Sequence, residues 1–180
     1  MSSASVGVDT TGVEDRTREI RARDIRAREI CAGVPDPELP VVTLGDLGIV
    51  RDVRVADDGH VEVLVTPTYS GCPATEVIRA DLLAALRAGG FDDAAVLTVR
   101  APAWTTDWIT DAGRRKLADN GIAPPSGLVE GRAVALELSV PCPQCGSRDT
   151  ALVSRFGPTA CLAMYRCRTC LEPFDHVKPY

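Results

Sequence analysis

Two Cys-x-x-Cys pairs, Cys142-Pro-Gln-Cys145 and Cys167-Arg-Thr-Cys170, restrict what this chain can fold into more than any other feature. Each pair bends into a tight knuckle that aims two sulfurs at one point. The 21-residue spacer between them is one residue beyond the usual window for paired-knuckle metal sites. Four thiolates complete a tetrahedral zinc ion and leave no position for water or substrate, so the expected site is structural. Zinc ranks first for this donor set, ahead of iron in a rubredoxin-like site and of a redox dithiol. The surrounding segment has too few apolar residues to fold unaided. Metal binding is expected to supply on the order of 10 kcal/mol of its folding free energy.

The other cysteines agree with this reading. Seven cysteines, an odd number, in a chain whose first residues lack an apolar secretory segment, do not make a disulfide framework. A cytoplasmic protein is the expectation, with no membrane span, since no apolar run approaches about 18 residues. The net charge of −5 opposes nonspecific nucleic-acid binding, which needs a basic surface. Within 142–180 five basic side chains meet three acidic ones. A tetrathiolate on a divalent ion adds −2, leaving the module near neutral.

Upstream, the pattern predicts an α+β domain of order α-β-β-α-β-α over 15–121. It follows a disordered tail at 1–14 and precedes a linker at 122–131 and the ribbon at 132–180. Residues 15–33 are good helix formers, with Glu19–Arg23 and Asp24–Arg28 as i,i+4 pairs. Ile20, Ile25 and Ile30 stand five apart and scatter around the helix, so a solvated leader helix is expected, with docking as the lesser alternative. Prolines at 35, 37 and 40 force a loop. Leu47–Val55 and Val61–Val65 read as a hairpin about Asp57-Asp-Gly59. Pro73 opens a helix to about Ala88, with Ile78, Leu82, Ala85 and Leu86 on one stripe. Ala95–Val99 is a third strand, and Thr106 caps a helix to about Asn120. In the ribbon, strands are expected at 133–140, 151–156 and 163–166.

Cys72 stands directly before Pro73, which favours the first helical position, so Cys72 is expected as the N-cap with its thiolate favoured by the helix terminus. The alternative is an inert buried cysteine. Asp36, Glu38 and Asp46 read from composition as solvated turn acids. Trp104 and Trp108 are expected to pack on the sheet. Cys161 is either a spare metal ligand or, as such cysteines more often are, a small buried apolar residue. His176 is expected at the surface.

Asp36-Pro-Glu38-Leu-Pro, Asp46-Leu-Gly48-Ile-Val and Thr66-Pro-Thr-Tyr-Ser-Gly-Cys72-Pro73 resemble the metal-sulfur cluster assembly domain of SufT-like proteins. The run from Phe156 through Cys161 to Phe174-Asp, after Cys142-Pro-Gln-Cys145-Gly-Ser, resembles the C-terminal ribbon of the PaaD family of phenylacetic acid degradation. Pro158 stands where a small residue is usual, a departure confined to a turn. The resemblance implies a non-catalytic accessory of the multicomponent phenylacetyl-CoA 1,2-epoxidase, which comprises a di-iron oxygenase and a reductase carrying flavin and a [2Fe–2S] cluster. It implies a maturation role: inserting or repairing an iron–sulfur cluster, or loading iron. Cys72 then matches the cluster-associated cysteine, Asp36 and Glu38 the acidic motif beside it, and the four knuckle cysteines the zinc ligands. A homodimer is one way for a single cysteine to find a second ligand. The alternative is a structural or regulatory component that docks on the oxygenase through its ribbon and handles no cluster.

Overall fold

The computed structural model describes residues 10–69, 71–125 and 139–179. Helix α1 (Thr10–Gly33) leads into a loop and then the hairpin β1 (Val50–Val55) and β2 (Val61–Val65). Helix α2 (Thr75–Ala88) crosses to β3 (Ala94–Thr98), a one-turn 3-10 segment (Thr106–Trp108) follows, and α3 (Asp111–Asp119) closes the first module. The order β1-β2-β3 places the hairpin antiparallel and the crossover strand parallel. Valines at 53, 61, 63, 65 and 96 turn one face of this sheet into the core, where Ile78, Leu82 and Leu86 of α2 meet them.

The first helix begins at Thr10, inside the stretch expected to be a tail, while residues 1–9 lie outside the described residues. Its C-terminal half is not a solvated leader. Ala27 and Cys31 are fully buried in the core, and Arg28 joins Asp24 at 2.7 Å and Asp52 of β1 at 2.9 Å. The isoleucine spacing hid this, because the contact face is made of small residues that let the helix sit close to the sheet. Asp24–Arg28 forms as expected, whereas Arg23 lies over the Phe91 ring, 5.7 Å from its centroid.

The second sheet has the order β4-β7-β6-β5, with β4 at Ile122–Ala123, β5 at Thr150–Ser154, β6 at Leu162–Cys167 and β7 at Pro173–Val177. The expected linker therefore opens with a strand, since Ile122 and Ala123 pair in parallel with Asp175 and His176. Its remainder from 126, and the strand expected at 133–140 through residue 138, lie outside the described residues. Strand β7 is an element the periodicity did not reveal: Pro173 begins it and only five residues form it. His176 is buried, with Nδ1 3.1 Å from the Ala123 carbonyl oxygen, so it sits neither at the surface nor among the sulfurs.

The ribbon has two packing faces. Ala123, Val140, Cys142, Cys167 and Phe174 make a small core of their own around the knuckles. Cys161, Leu162 and Val177 join the large core of the first module, so the two modules share one apolar interior.

Candidate functional site

The knuckle cysteines come together as their spacing requires. All four sulfurs lie within 4.8 Å of one another. Cys142 Sγ stands 3.7 Å from Cys170 Sγ, and Cys145 Sγ 3.6 Å from Cys167 Sγ. A zinc–sulfur bond of about 2.3 Å puts sulfurs about 3.75 Å apart along a tetrahedral edge, so the donor set fits zinc. A disulfide needs about 2.05 Å and is excluded by those separations. The Cys170 N–H donates to Cys167 Sγ at 3.4 Å, and it draws that thiol down to about 6. Each knuckle is followed by a left-handed residue, Gly146 at φ 74° and Leu171 at φ 67°. The loops thus reverse the same way although only one carries glycine.

A second group of side chains gathers around the Pro-rich loop between α1 and β1. The Val34 carbonyl accepts from the Leu44 N–H at 2.8 Å and Asp36 donates its N–H to the Val42 carbonyl at 3.0 Å, closing that loop as a short hairpin. Asp36 is buried and its Oδ1 accepts from the N–H groups of Glu38 (3.0 Å) and Leu39 (2.8 Å). It is no solvated acid: it shapes the turn that presents Glu38. Burial raises the carboxyl above its ordinary range against those two donors. Glu38 is raised too, by burial and then by the charge of Asp36.

Asp46 is likewise buried, and it is a brace. Its Oδ2 accepts from the Thr43 N–H at 2.9 Å and from Lys116 Nζ of α3 at 2.6 Å, while its carbonyl accepts from the Thr110 N–H at 2.8 Å. Burial opposes the carboxylate, but Lys116 and Thr43 hold it below its ordinary value. Thr110, not Thr106, caps α3, by accepting from the Gly113 N–H at 3.0 Å. Gly48, at φ 66°, lies so close to the Trp108 backbone that any Cβ would stand 2.6 Å from its oxygen. Trp104 is buried, donating its indole N–H to the Leu47 carbonyl at 2.8 Å, and Trp108 carries the Arg51 guanidinium 3.4 Å above its ring.

Cys72 does not cap the helix. The N-cap of α2 is Ala74, whose side chain makes no capping bond, and Cys72 lies two residues earlier in a turn where its carbonyl accepts from the Thr75 N–H and Oγ1. Its thiol is not drawn toward thiolate either. Half-burial raises it, the Ala74 N–H lowers it, and the charges of Glu38 and Asp36 raise it again, for a net upward shift. The helix-end donors are present but are outweighed by desolvation and by like charge.

Cys161 is buried, as a small apolar residue would be, and it is no spare ligand for the knuckles. It nevertheless has polar company. Its sulfur stands 4.0 Å from Glu38 Oε2 and 3.0 Å from Thr159 Oγ1. Its thiol is raised by burial, and by Glu38 and Asp36 against the Thr159 hydroxyl. A small cavity of about 20 Å³ is lined by Asp36, Glu38, Thr68, Cys72, Trp104 and Cys161, with apolar walls beyond them. Thr68 and Trp104 also line an open cleft with Tyr69 and Arg100, which gives the cavity an approach from solvent. No local signal could have joined residues 38 and 161, because the ribbon brings them together only when both modules are folded.

Comparison with known proteins agrees with these two modules. Residues 129–178 match the model of the PaaD zinc beta ribbon domain, and residues 27–97 match that of an iron-sulfur cluster assembly protein. The chain is 48% identical over 145 residues to an Escherichia coli (strain K12) protein described as a putative D-type subunit of 1,2-phenylacetyl-CoA epoxidase, covering 81% of this chain and 86% of that one. It is 45% identical over 49 residues to an Fe-S protein maturation auxiliary factor of Porphyromonas gingivalis, covering 27% of this chain and 46% of that one. Among solved structures, the crystal structure of a domain of unknown function, DUF59, from Bacillus anthracis matches with a TM-score of 0.52 at 24% identity. It covers 56% of this chain and 96% of that one, a likeness of fold. No helix among the described residues is long and apolar enough to cross a membrane.

Proposed function

The chain belongs to the PaaD family, the D-type subunits of 1,2-phenylacetyl-CoA epoxidase, and on that premise we propose that it is a non-catalytic accessory of the epoxidase that assists insertion of an iron–sulfur cluster or iron. One observation carries the reading: Cys72, Glu38 and Asp36, all from the module that matches iron–sulfur assembly proteins, line a single cavity. A thiol and carboxylates gathered in one cavity suit capture and release of a metal.

The knuckle cysteines serve the fold. Zinc held by Cys142, Cys145, Cys167 and Cys170 would staple the ribbon, and the closed tetrathiolate leaves transfer chemistry to Cys72. The raised thiol at Cys72 keeps a proton when the cavity is empty. A cation entering from the cleft displaces that proton, so loading and release are coupled to it. The clients are the oxygenase and reductase components, reached in the cytoplasm.

Replacing Cys72 with Ser in cells that make the whole epoxidase tests the proposal. The cluster and iron content of the purified oxygenase–reductase is expected to fall, with epoxidation falling in proportion. Unchanged metal content would remove Cys72 from the function.

A docking role is the second reading, and the ribbon edge favours it. Among the described residues strand β5 ends the sheet and leaves Leu152 and Val153 exposed, with Phe156 beyond it 75% exposed. Arg substitutions at Leu152 and Val153 are expected to weaken co-purification with the oxygenase. If Cys72→Ser leaves metal content intact while these abolish association, docking is the function.

A further inference from the structure

We propose that Cys161 of the ribbon and Cys72 of the first module, with Glu38, form one binding site for a single iron(II) ion, so that the cargo site exists only when the ribbon is docked. The inference rests on the maturation reading and adds to it the second sulfur, which comes from this same chain and not from a second copy.

Geometry supports it from three sides. The two sulfurs come from different modules, and both line one cavity together with Glu38. Cys161 Sγ is already 4.0 Å from Glu38 Oε2. A tetrahedral ion with one sulfur and one carboxylate ligand would hold these atoms about 3.6 Å apart, so a small side-chain rotation closes the gap. Among the described residues no lysine, arginine or histidine lines the cavity, and the nearby Lys178 is occupied with the Ala160 carbonyl at 2.7 Å and the Phe156 ring. A divalent cation would therefore supply the positive charge that the lining lacks. Asp36 acts as a positioning residue, since its Oδ1 is held by two backbone donors that set the Glu38 turn.

The cavity, about 20 Å³, has room for one ion. Two thiolates and a carboxylate suit iron(II), cobalt(II) and zinc(II), and reject magnesium and calcium.

The test is anaerobic titration of the full-length zinc-loaded protein with Co²⁺, followed by sulfur-to-cobalt charge-transfer absorbance. One Co²⁺ per chain is expected beyond the zinc, with intensity for two thiolates. Cys161→Ser is expected to halve that intensity and to weaken binding by more than about tenfold, the lower end of what loss of even a supporting partner of a metal ligand costs. Glu38→Gln should weaken binding while leaving the intensity unchanged. Wild-type intensity and affinity in Cys161→Ser would overturn the proposal, and would leave the Cys72 role standing. Native mass spectrometry showing one zinc per chain verifies that the variant is folded. Should it not be, alkylation of the wild-type protein decides: Fe²⁺ is expected to slow modification of Cys161 and Cys72 together, and protection of Cys72 alone refutes the shared site.

Discussion

Leu171 holds a left-handed backbone, φ 67°, that a side chain adopts at a cost, and its own side chain is 59% exposed. Relief of about 1–2 kcal/mol of left-handed strain is set against about 0.4–1 kcal/mol of added unfolded-state entropy. Leu171→Gly is therefore expected to raise stability by up to about 1.6 kcal/mol, read as the urea midpoint of the zinc-loaded protein. Asp46 gives the opposite kind of residue, one that cannot be spared. Its carboxylate is held below its ordinary value in the fold, so its contribution is full above the unfolded value of about 3.9 and is lost as pH falls through the folded one. Asp46→Asn is expected to cost about 2 kcal/mol at pH 7 through a charged hydrogen bond to Lys116. The gap to wild type should close as pH falls through the folded value of Asp46, below which position 46 is neutral in both proteins. A gap that stayed constant with pH would assign the loss to packing. The acids at 36 and 46 look alike in sequence, and only their partners distinguish a turn-former from a brace.

Helix α1 shows what periodicity can miss at the scale of an element. Ile25 is 57% exposed while Ala27 is 0% exposed, so the larger residue is outside and the smaller one inside. Ala27→Leu is expected to cost about 1–3 kcal/mol by overpacking against the sheet, whereas Ile25→Ala should change stability by less than about 0.5 kcal/mol. Equal effects in chemical denaturation would mean that the helix is not docked through this face. Features that depend on near neighbours were legible: the knuckles, the β1–β2 hairpin, the apolar stripe of α2. Those that depend on distant ones were not. The two-residue β4 gains its strand character only from β7, and Cys161 meets Glu38 across 123 residues of chain.

For the whole molecule, one interior joins the modules, so the knot and the cavity are coupled although they share no ligand. Removing zinc is expected to unfold the ribbon, strip Leu162 and Val177 from the shared core and open the cavity. The measurable result is faster alkylation of Cys72 in chelator-treated protein, by at least about tenfold, while Cys31 in the first core stays protected; equal Cys72 rates with and without zinc would show that the modules fold independently. Strand β6 spans the distance between the two sulfur groups, with Cys161 just ahead of it and Cys167 at its end. Six strand steps of about 3.3 Å put roughly 20 Å between those thiols. No ion can be handed from one to the other, so a paramagnetic metal installed in the knot becomes a fixed beacon against which arrivals and departures at the far end of the strand can be timed by distance-dependent relaxation.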